Sequence, residues 1–456
     1  MIIPKPKRYE ERGEIRICPT VTADTELGFG LKAFKRIFGK IYGVSLTEGE
    51  GGIEVRYDAS LSEEEYTVDG AVIWASSLLG AKNGLATILQ LTLSADKDGI
   101  TLTDAKIKDK PDVEFRAFFA DLARGWHDFD VLLGYVDICY INKIRYFQIH
   151  FTDDQSWTLP YRAFPNAATE GRSYTHEEIA YLVEYANEAG VEIIPEFEGI
   201  GHSYELIKKY PEEFGEEYDS PVQYENVMCI GNPNTLDNVR KMLGEVREVF
   251  KHSRYIHVGC DEASHENWSH CVRCRDYMKR QGIETTLELY AHFVKNIVEI
   301  CISLGRTPIV WEGFGKEFNH MIPKEAIVMS WENTYQTTTE LLEGGFKIVN
   351  AAWRPLYYVP EKTRQWNILD EDFYLYHWDT IAKRSPIYGG GATIEPDDRV
   401  LGAMMCQWES GYAEEHNRVV ENLPPFSDRC WNVEEHYTKE EFPDREKLTG
   451  MQNKVY

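Results

Sequence analysis

The sequence lacks the features that would direct it to a membrane or to nucleic acid. No hydrophobic run approaches the roughly 20 residues that span a bilayer, and residues 1–7 contain no apolar stretch typical of a signal peptide. Basic residues are scarce, since 49 Lys and Arg stand against 75 Asp and Glu, a formal net charge of -26. A surface this acidic repels phosphate backbones and anionic lipids. We therefore expect neither nucleic-acid nor membrane partners.

Cysteine shows no repeated pairing pattern. The nine cysteines are an odd number and mostly dispersed, which is typical of reduced thiols and favours a cytoplasmic location. Cys271 and Cys274 form a CxxC motif with Cys260, His265 and His270 nearby, but a second CxxC or a spaced HxxxH partner is missing. Free thiols are therefore favoured over a zinc site, although a structural metal at Cys271 and Cys274 stays open. We predict no cofactor and no catalytic metal.

The chain is long enough for one large domain and a smaller one. Its 456 residues are 43% hydrophobic and 13% aromatic, which suits a compact protein with a large core. Residues 1–110 are predicted to form an accessory α/β domain, and the polar, proline-bearing segment Lys108–Pro111 is the predicted boundary. Its predicted elements are strands at Ile15–Cys18 and Gly52–Arg56, helices at Glu26–Phe38 and Leu78–Leu93, and a hairpin turning at Asp69-Gly70.

Residues 111–456 alternate between apolar strand candidates and helical stretches. Alternating β and α elements indicate a parallel sheet, and eight such units predict a (β/α)8 TIM barrel. Helices are predicted at Thr175–Ala189, Thr235–Phe250 and Thr285–Leu304. The eight strand candidates are Arg116–Asp121, Arg145–Phe151, Val191–Glu196, Tyr255–Gly259, Pro308–Trp311, Ile327–Trp331, Lys347–Ala351 and Gly402–Gln407.

Carboxylates and tryptophans follow the ends of nearly all these strands. Active sites of such barrels lie at the carboxyl ends of the strands, so this distribution predicts a binding pocket there. Trp311, Trp331 and Trp408 end three separate strands and are predicted to build a small aromatic box. The other polar or aromatic groups at strand ends are Asp121/Arg124, Asp153/Asp154, Glu196, Asp261/Glu262, Glu312, Glu332, the segment Trp353–Tyr358, and Glu409.

Asp261 and Glu262 are the strongest single signal of acid–base chemistry. They follow the apolar run Tyr255–Val258 and a Gly-Cys step. Strand neighbours point to opposite faces, so both acids can face one pocket only if the strand has already become a loop, which Gly259 permits. The alternative is a solvated acidic pair on a surface loop. Adjacent carboxylates must be held at different pKa values, as acid–base catalysts are.

Three further groups are candidates with credible structural alternatives. His202 follows a glycine-rich turn, and a chain from Asp153 through His202 to Glu262 would tune an acid, although a single histidine is more often structural. One of Asp153 and Asp154 could instead cap the following helix. Arg116, in the first strand, could bind a substrate hydroxyl or form a structural ion pair at the edge of the barrel.

These motifs together resemble the family 20 glycoside hydrolases, the β-N-acetylhexosaminidases. The acid motif His-x-Gly-x-Asp-Glu corresponds to residues 257–262, and Asp-Asp-Gln-x-Trp to residues 153–157. The motif Pro-Glu…Gly-His corresponds to residues 195–202, and Arg-x-x-x-x-Asp-x-x-Arg to residues 116–124. The first hundred residues also resemble the family's accessory domain, so the resemblance covers essentially the whole chain.

The resemblance implies exo-acting, retaining hydrolysis of terminal β-linked N-acetylglucosamine or N-acetylgalactosamine, with the substrate's own acetamido oxygen as nucleophile. A glycan or glycoconjugate is the implied partner, and assembly as a homodimer is left open. Glu262 would be the general acid and base, while Asp261 would accept the acetamido N–H. Tyr357 would contact the acetamido oxygen, and Asp153 and His202 would support Glu262. Trp311, Trp331 and Trp408 would surround the acetamide methyl group, and Arg116 would bind the sugar 3- and 4-hydroxyls.

Two departures from the family pattern concern the sugar hydroxyls. Many members carry Tyr-x-Asp or Tyr-x-Asn after strand seven, whereas Tyr357 is followed by Tyr358 and Val359. Many also carry Trp-x-Glu at strand eight, whereas Glu409 directly follows Trp408. The resemblance therefore leaves the choice between the two sugars open, and tolerance of both is our hypothesis.

Two other functions stay open from the residues. A double-displacement glycosidase would use Glu312 or Glu332 as a carboxylate nucleophile. A carbohydrate-binding protein on an inactive barrel would bind sugar without turnover. The intact Asp261-Glu262 pair argues against the latter, because a binding protein gains nothing from a tuned acid.

Overall fold

The computed structural model describes residues 2–25, 27, 31–218, 226–360, 367–369, 373–378, 392–442 and 446–456. The predicted helix Glu26–Phe38 begins partly outside these residues, and the observed helix is Leu31–Tyr42. No described helix is both long and apolar enough to cross a membrane.

A twisted sheet with two helices forms the first part of the chain. The elements are β1 Arg8–Ile17, β2 Val21–Ala23, α1 Leu31–Tyr42, β3 Ile53–Tyr57, β4 Tyr66–Asp69, β5 Val72–Ala75, α2 Leu78–Leu91, β6 Thr92–Asp96 and β7 Gly99–Asp109. The strands have the order β1-β7-β4-β5-β3-β2, with β6 paired to β7. The predicted hairpin is present, since β4 and β5 pair antiparallel and Gly70 has the positive φ of 61° that its turn requires.

Among the described residues, eight parallel strands close into the barrel predicted from the sequence. The barrel strands are β8 Phe115–Asp121, β9 Tyr146–His150, β10 Glu192–Glu196, β11 Tyr255–His257, β12 Thr307–Trp311, β13 Ile327–Ser330, β14 Lys347–Asn350 and β18 Val400–Gln407. All eight predicted strands are confirmed, with ends shifted by one or two residues. The order is β14-β13-β12-β11-β10-β9-β8-β18, and pairing of β14 with β18 closes the ring.

Helices cover the outside of the barrel. The described helices after β8 are α3 Phe129–Ile141, α4 His176–Glu188, α5 Tyr204–Lys209, α6 Pro211–Phe214, α7 Thr235–Val249, α8 Val272–Gln281, α9 Thr286–Ser303, α10 Thr338–Glu343, α11 Trp353–Leu356, α12 Tyr412–Trp431 and α13 Glu446–Val455. The three predicted long helices are confirmed as α4, α7 and α9. Short strands β15 Tyr357–Tyr358, β16 His377–Trp378 and β17 Ala392–Thr393, and 3-10 turns His265–Ser269 and Lys316–Phe318, complete the described elements.

Strand β8 shows how alternation divides the core into two layers. Phe115 and Phe119 pack in the barrel interior, whereas Phe118 and Ala120 belong to the larger core between strands and helices. Because successive residues of a strand point to opposite faces, Arg116 is not on the face of Phe115 and Phe119. This placement determines what Arg116 can contact.

Candidate active site

A pocket opens at the carboxyl ends of the barrel strands, where the sequence placed the site. Most of the predicted site residues line it: His202, Asp261, Glu262, Trp331, Tyr357, Trp408 and Glu409. The same wall contains residues to which the sequence assigned no role in binding: Arg124, His150, Glu198, Trp353 and Val359.

The chain leaves the regular conformation of β11 before it reaches Asp261 and Glu262, which two neighbouring acids need in order to face one pocket. Strand β11 ends at His257, and the φ angles of Gly259, Cys260 and Glu262 are 61°, 75° and 42°. A Cβ on Gly259 would lie 2.1 Å from Oε2 of Glu198, so glycine is needed for space as well as for φ. This irregular turn allows Asp261 and Glu262 to line one pocket although they are neighbours.

The two acids have different surroundings. Asp261 is 8% exposed, and burial together with the negative charge of Glu262 raises its pKa to about 7. Its Oδ1 is buried and accepts no hydrogen bond from the described residues. The Glu262 side chain is 53% exposed, and its close contact with His202 lowers its pKa. The pKa values of the two acids thus differ, as acid–base catalysis requires.

His202 bridges the buried Asp153 and the half-exposed Glu262. Its Nδ1 lies 3.5 Å from Oδ1 of Asp153, and its Nε2 lies 3.6 Å from Oε2 of Glu262. Burial opposes a charge on His202, but Asp153, Asp154 and Glu262 raise its pKa well above the usual value. The predicted chain from Asp153 to Glu262 is therefore present with an imidazolium at its centre. Oδ1 of Asp154 also accepts from the backbone N–H of Tyr204 at 2.9 Å, at the start of α5.

Arg124 is the arginine at the pocket. Its Nη2 lies 2.6 Å from Oδ2 of Asp153, and its guanidinium carbon lies 5.4 Å from the ring centre of Trp408. The backbone N–H of Arg124 donates to Oδ1 of Asp121 at 2.9 Å, which fixes the loop after β8. The sequence signal was available, because Arg124 stands beyond the end of β8 on the catalytic side of the barrel.

The prediction that Arg116 binds sugar hydroxyls is corrected by the structure. Arg116 is fully buried near the start of β8, at the opposite end of the strand from the pocket. Its guanidinium donates to both carboxylate oxygens of Glu64 and to the carbonyl of Val113. The physical reason is its place in β8, on the face that points away from the barrel interior. The structural ion pair left open by the sequence is the role that the structure gives it.

A buried network behind the pocket connects Asp153 to the aromatic box. Nε2 of His150 lies 2.8 Å from Oδ2 of Asp153, and its Nδ1 lies 3.1 Å from Oε1 of Glu196. The same Glu196 oxygen accepts from Nε1 of Trp311 at 2.7 Å. His257, His150 and the hydrogen bond from Trp311 hold the pKa of Glu196 below its usual value, against the effect of its burial. Sequence reasoning gave His150 no role, because only the fold brings it between two acids.

The three predicted tryptophans converge. The ring centres of Trp311 and Trp408 are 5.9 Å apart, and those of Trp311 and Trp331 are 6.4 Å apart. Tyr357 completes the group, since its ring stacks on Trp331 at 5.6 Å and lies 5.8 Å from that of Trp408. The rings of Trp331, Tyr357 and Trp408 form an apolar wall of the pocket that Asp261 also lines, and Trp353 extends it with its ring centre 5.2 Å from that of Tyr357. Trp311 is 1% exposed and packs against these rings without lining the pocket.

The two candidate nucleophilic glutamates have different environments. Glu312 is fully buried and accepts backbone N–H bonds from Asn333, Tyr335 and Gln336 at 3.0, 2.8 and 3.2 Å, so it anchors the loop after β13. Glu332 lines the pocket, and burial raises its pKa to about 7. Only Glu332 of the two is placed to meet a ligand.

Both departures from the family pattern lie at the pocket. Val359 and Glu409 are part of its wall, so an apolar group stands at the position of the missing acid or amide. Glu409 has a φ of 55°, and its backbone N–H donates to Oδ2 of Asp121 at 3.2 Å.

Possible metal ligands cluster in two places among the described residues. In the pocket and directly behind it they are the groups His150/Glu196/Glu198, Asp153/Asp154/His202 and His202/Asp261/Glu262. The other cluster is Cys229, Cys271 and Cys274, which does not line the pocket.

Comparison with known proteins identifies the relatives of this site. The model of the "Glycosyl hydrolase family 20, catalytic domain" matches residues 113–427. The chain is 29% identical over 332 residues to a beta-hexosaminidase of Vibrio furnissii, covering 66% of this chain and 54% of that protein. It is 24% identical over 388 residues to beta-hexosaminidase subunit beta of Homo sapiens, covering 81% and 67%. The chain thus spans about half the length of the Vibrio furnissii relative.

Solved structures share the fold. A family 20 exo beta-N-acetylglucosaminidase from Vibrio harveyi, in complex with N-acetylglucosamine, has a TM-score of 0.77 at 21% identity, covering 99% of this chain and 76% of that one. A beta-N-acetylhexosaminidase from Bacteroides fragilis has a TM-score of 0.78 at 20% identity, covering 97% and 93%.

Proposed function

Because the chain belongs to glycoside hydrolase family 20, we propose that it is an exo-acting β-N-acetylhexosaminidase. Its substrate is a glycan or glycoconjugate that ends in β-linked N-acetylglucosamine or N-acetylgalactosamine. The reaction is retaining hydrolysis in which the substrate's acetamido oxygen is the nucleophile.

The observation that carries the proposal is that Asp261 shares one pocket with a second acid and with aromatic rings. Glu262, Trp331, Tyr357 and Trp408 all line this pocket together with Asp261. The unsatisfied Oδ1 of Asp261 fits an amide N–H, and the rings fit the acetamide methyl group. A plain hexose could donate its 2-hydroxyl to Asp261, but it has no methyl group for the rings.

The proposed reaction has two steps with balanced protons. In the first, Glu262 gives its proton to the glycosidic oxygen as the bond from that oxygen to C1 breaks, and the acetamido oxygen forms a new bond to C1. The product is an oxazolinium ion, whose positive charge the Asp261 carboxylate stabilises through the N–H. In the second, Glu262 takes a proton from water as the water oxygen bonds to C1 and the bond from C1 to the acetamido oxygen breaks, which restores the acetamide and releases the sugar.

The pKa values of the two acids must exchange order when sugar binds. Asp261 has the higher pKa in the free protein, whereas the reaction needs its carboxylate together with protonated Glu262. An acetamido N–H that donates to Asp261 lowers its pKa. A sugar that covers the half-exposed Glu262 removes water and raises its pKa. The substrate thus moves one proton from Asp261 to Glu262.

Arg124 is the proposed ligand of the sugar hydroxyls in place of Arg116. It borders the pocket while Asp153 holds its guanidinium, and a fixed guanidinium can donate two hydrogen bonds to neighbouring hydroxyls. Val359 offers no such bond, so the hypothesis that both sugars are accepted rests on an apolar group at that position.

The second candidate function is double displacement by Glu332. Its support is the position of Glu332 in the pocket wall. The two mechanisms differ in whether the acetamide is required.

Hydrolysis of three 4-nitrophenyl β-glycosides tests the proposal. The N-acetylglucosaminide and N-acetylgalactosaminide should both be cleaved, and the glucoside, which lacks the acetamide, should not. An oxazoline-like thiazoline should inhibit competitively. Comparable turnover of the glucoside would favour Glu332 as nucleophile, and binding of N-acetylglucosamine without any turnover would favour a binding protein. A preference above about 3 kcal/mol in transition-state binding between the two amino sugars would end the hypothesis of tolerance.

We also propose that the protein works in a reducing compartment such as the cytoplasm. The nine cysteines are all free thiols in the structure, and eight of them are buried. Fractionation of the source cells with an activity assay tests this location.

A further inference from the structure

Three buried cysteines meet at one point outside the pocket. Sγ of Cys229 lies 3.6 Å from Sγ of Cys271 and 3.3 Å from Sγ of Cys274. All three sulfur atoms lie within 4.8 Å of one another. Two of them form the CxxC motif, but the third comes from 42 residues earlier in the chain, so the sequence spacing did not show the group. Cys260, His265 and His270 are not members of it.

The sulfur spacing suits a single metal ion. Thiolates bind zinc at about 2.3 Å in a tetrahedron, which places neighbouring sulfurs about 3.8 Å apart. A disulfide needs about 2.05 Å and joins only two sulfurs, so it would leave the third thiol buried beside it. An iron–sulfur cluster needs its cysteines much farther apart, since inorganic sulfide separates them. The observed distances are therefore closest to those of a zinc–thiolate centre.

The surroundings support a bound ion. Cys271 precedes α8, and Cys274 lies in its first turn, where the helix dipole favours negative charge. The backbone N–H of Glu217 donates to Sγ of Cys271 at 3.4 Å. Among the described residues, no other His, Cys, Asp or Glu joins this group at the same spacing, so the three sulfurs alone are assigned as ligands.

We propose that Cys229, Cys271 and Cys274 bind one structural Zn²⁺ ion. Binding releases the three thiol protons and forms three zinc–sulfur bonds, with no change of oxidation state. The proposal rests on the sulfur geometry and stands or falls independently of the glycosidase activity.

The ion would join the two loops that carry the catalytic groups. Cys229 belongs to the segment that follows β10 and contains His202, and Cys271 ends the segment that follows β11 and contains Glu262. Hydrogen bonds already connect these segments: Asn226 donates to Oγ of Ser264 at 3.0 Å, and Nε1 of Trp268 donates to the carbonyl of Met228 at 3.1 Å. A metal adds a covalent-strength link between them.

Metal analysis of the purified full chain is the direct test. After dialysis against metal-free buffer, elemental analysis should find about one zinc per chain in the wild type. Cys229→Ser and Cys271→Ser should retain less than about a tenth of that. Cys301→Ser is the matched control, because Cys301 is buried outside the cluster, and it should keep the zinc.

Cobalt replacement and chelation keep the test valid if a variant folds poorly. Reduced wild-type protein stripped of metal should bind one Co²⁺ with the absorption of a tetrahedral cobalt–thiolate centre, and Zn²⁺ should displace it. A chelator should lower the thermal unfolding temperature of the wild type but not that of Cys229→Ser. Absence of zinc together with no uptake of Zn²⁺ or Co²⁺, or a disulfide between two of these cysteines found by mass spectrometry, would overturn the proposal.

Discussion

Nε2 of His202 lies 3.6 Å from Oε2 of Glu262, so the proposed proton donor faces a histidine whose acidic neighbours raise its pKa well above the usual value. The contact orients the Glu262 side chain, and it also lowers the pKa of Glu262. On its other side, Asp153 holds the ring and keeps it charged. His202 is therefore a positioning residue whose charge sets the pH range of the reaction.

The first prediction concerns His202→Phe. The charge of His202 lowers the pKa of both Glu262 and Asp261, so its removal should move both limbs of the kcat/KM profile to higher pH and lower kcat by about tenfold or more. The pH dependence of kcat/KM measures this. His252→Asn is the control, since His252 pairs with Glu184 on the surface. A lower kcat with unchanged limbs would mean a purely structural role.

The second prediction concerns Asp261→Asn. The free enzyme should be most active in the state with one proton on the Asp261–Glu262 pair, so activity should fall above about pH 7, where Asp261 loses that proton. Of the pair, only Glu262 still titrates in the variant, and its pKa is low. The descending limb should therefore move to lower pH, with a large loss in kcat. A limb that stays near pH 7 would assign it to another group.

The third prediction separates the two arginines. Arg124→Ala should lower kcat/KM by about 10- to 150-fold, because a charge-assisted hydrogen bond contributes about 1.5–3 kcal/mol. Arg116→Met should leave the KM of the folded enzyme unchanged. Steady-state kinetics at equal concentrations of folded protein test both variants. A rise in KM for Arg116→Met would restore the interpretation that the structure corrects.

The fourth prediction concerns the buried Arg116–Glu64 pair. Glu64→Gln leaves a buried guanidinium charge without its partner, which should cost about 3–5 kcal/mol of unfolding free energy. Although burial alone would raise it, Arg116 and Arg145 lower the pKa of Glu64 below 4.5. Its contribution is then complete above pH 4.5 and is lost as the pH falls through the folded value.

Urea unfolding of the wild type and Glu64→Gln at several pH values tests this. The difference between them should be largest near neutral pH and should shrink in acid. Glu63→Gln is the control, because the Glu63 side chain is 65% exposed and its contact with Arg145 should contribute little. A difference that does not depend on pH would argue for lost packing instead of a lost charge.

The sequence predicted the barrel because its strands are buried on both faces. Such strands are continuous apolar runs, and β11 to β14 are short, so the carboxylates and tryptophans after them mark the rim directly. Asp261, Glu262 and the three tryptophans could be recognised for this reason. The prediction for Arg116 failed because its motif contains two arginines, of which Arg116 lies near the start of β8 and Arg124 follows its end at the pocket.

Groups that act through long-range contacts were not predictable. Glu196 and His150 end neighbouring strands, but the hydrogen bond from Trp311 to Glu196 requires the register of β10 and β12 around the barrel. Likewise, Cys229 approaches the CxxC motif only because the segments after β10 and β11 pack together. The spacing of residues along the chain does not predict such contacts.

The last prediction decides between the two candidate nucleophiles. If the acetamide attacks C1, Glu332→Gln should keep kcat within about tenfold of the wild type, because Glu332 then contributes only to the pocket wall. If Glu332 attacks, its loss removes the nucleophile, and the rate should fall by several orders of magnitude. Mass spectrometry of wild-type protein quenched during turnover should find no glycosyl ester on Glu332. The matched variant is Glu262→Gln, which should nearly abolish turnover of substrates with poor leaving groups while keeping the same side-chain volume at the pocket. A trapped ester together with an inactive Glu332→Gln variant would show that a protein carboxylate is the nucleophile. Asp261 would then lack the role proposed for it.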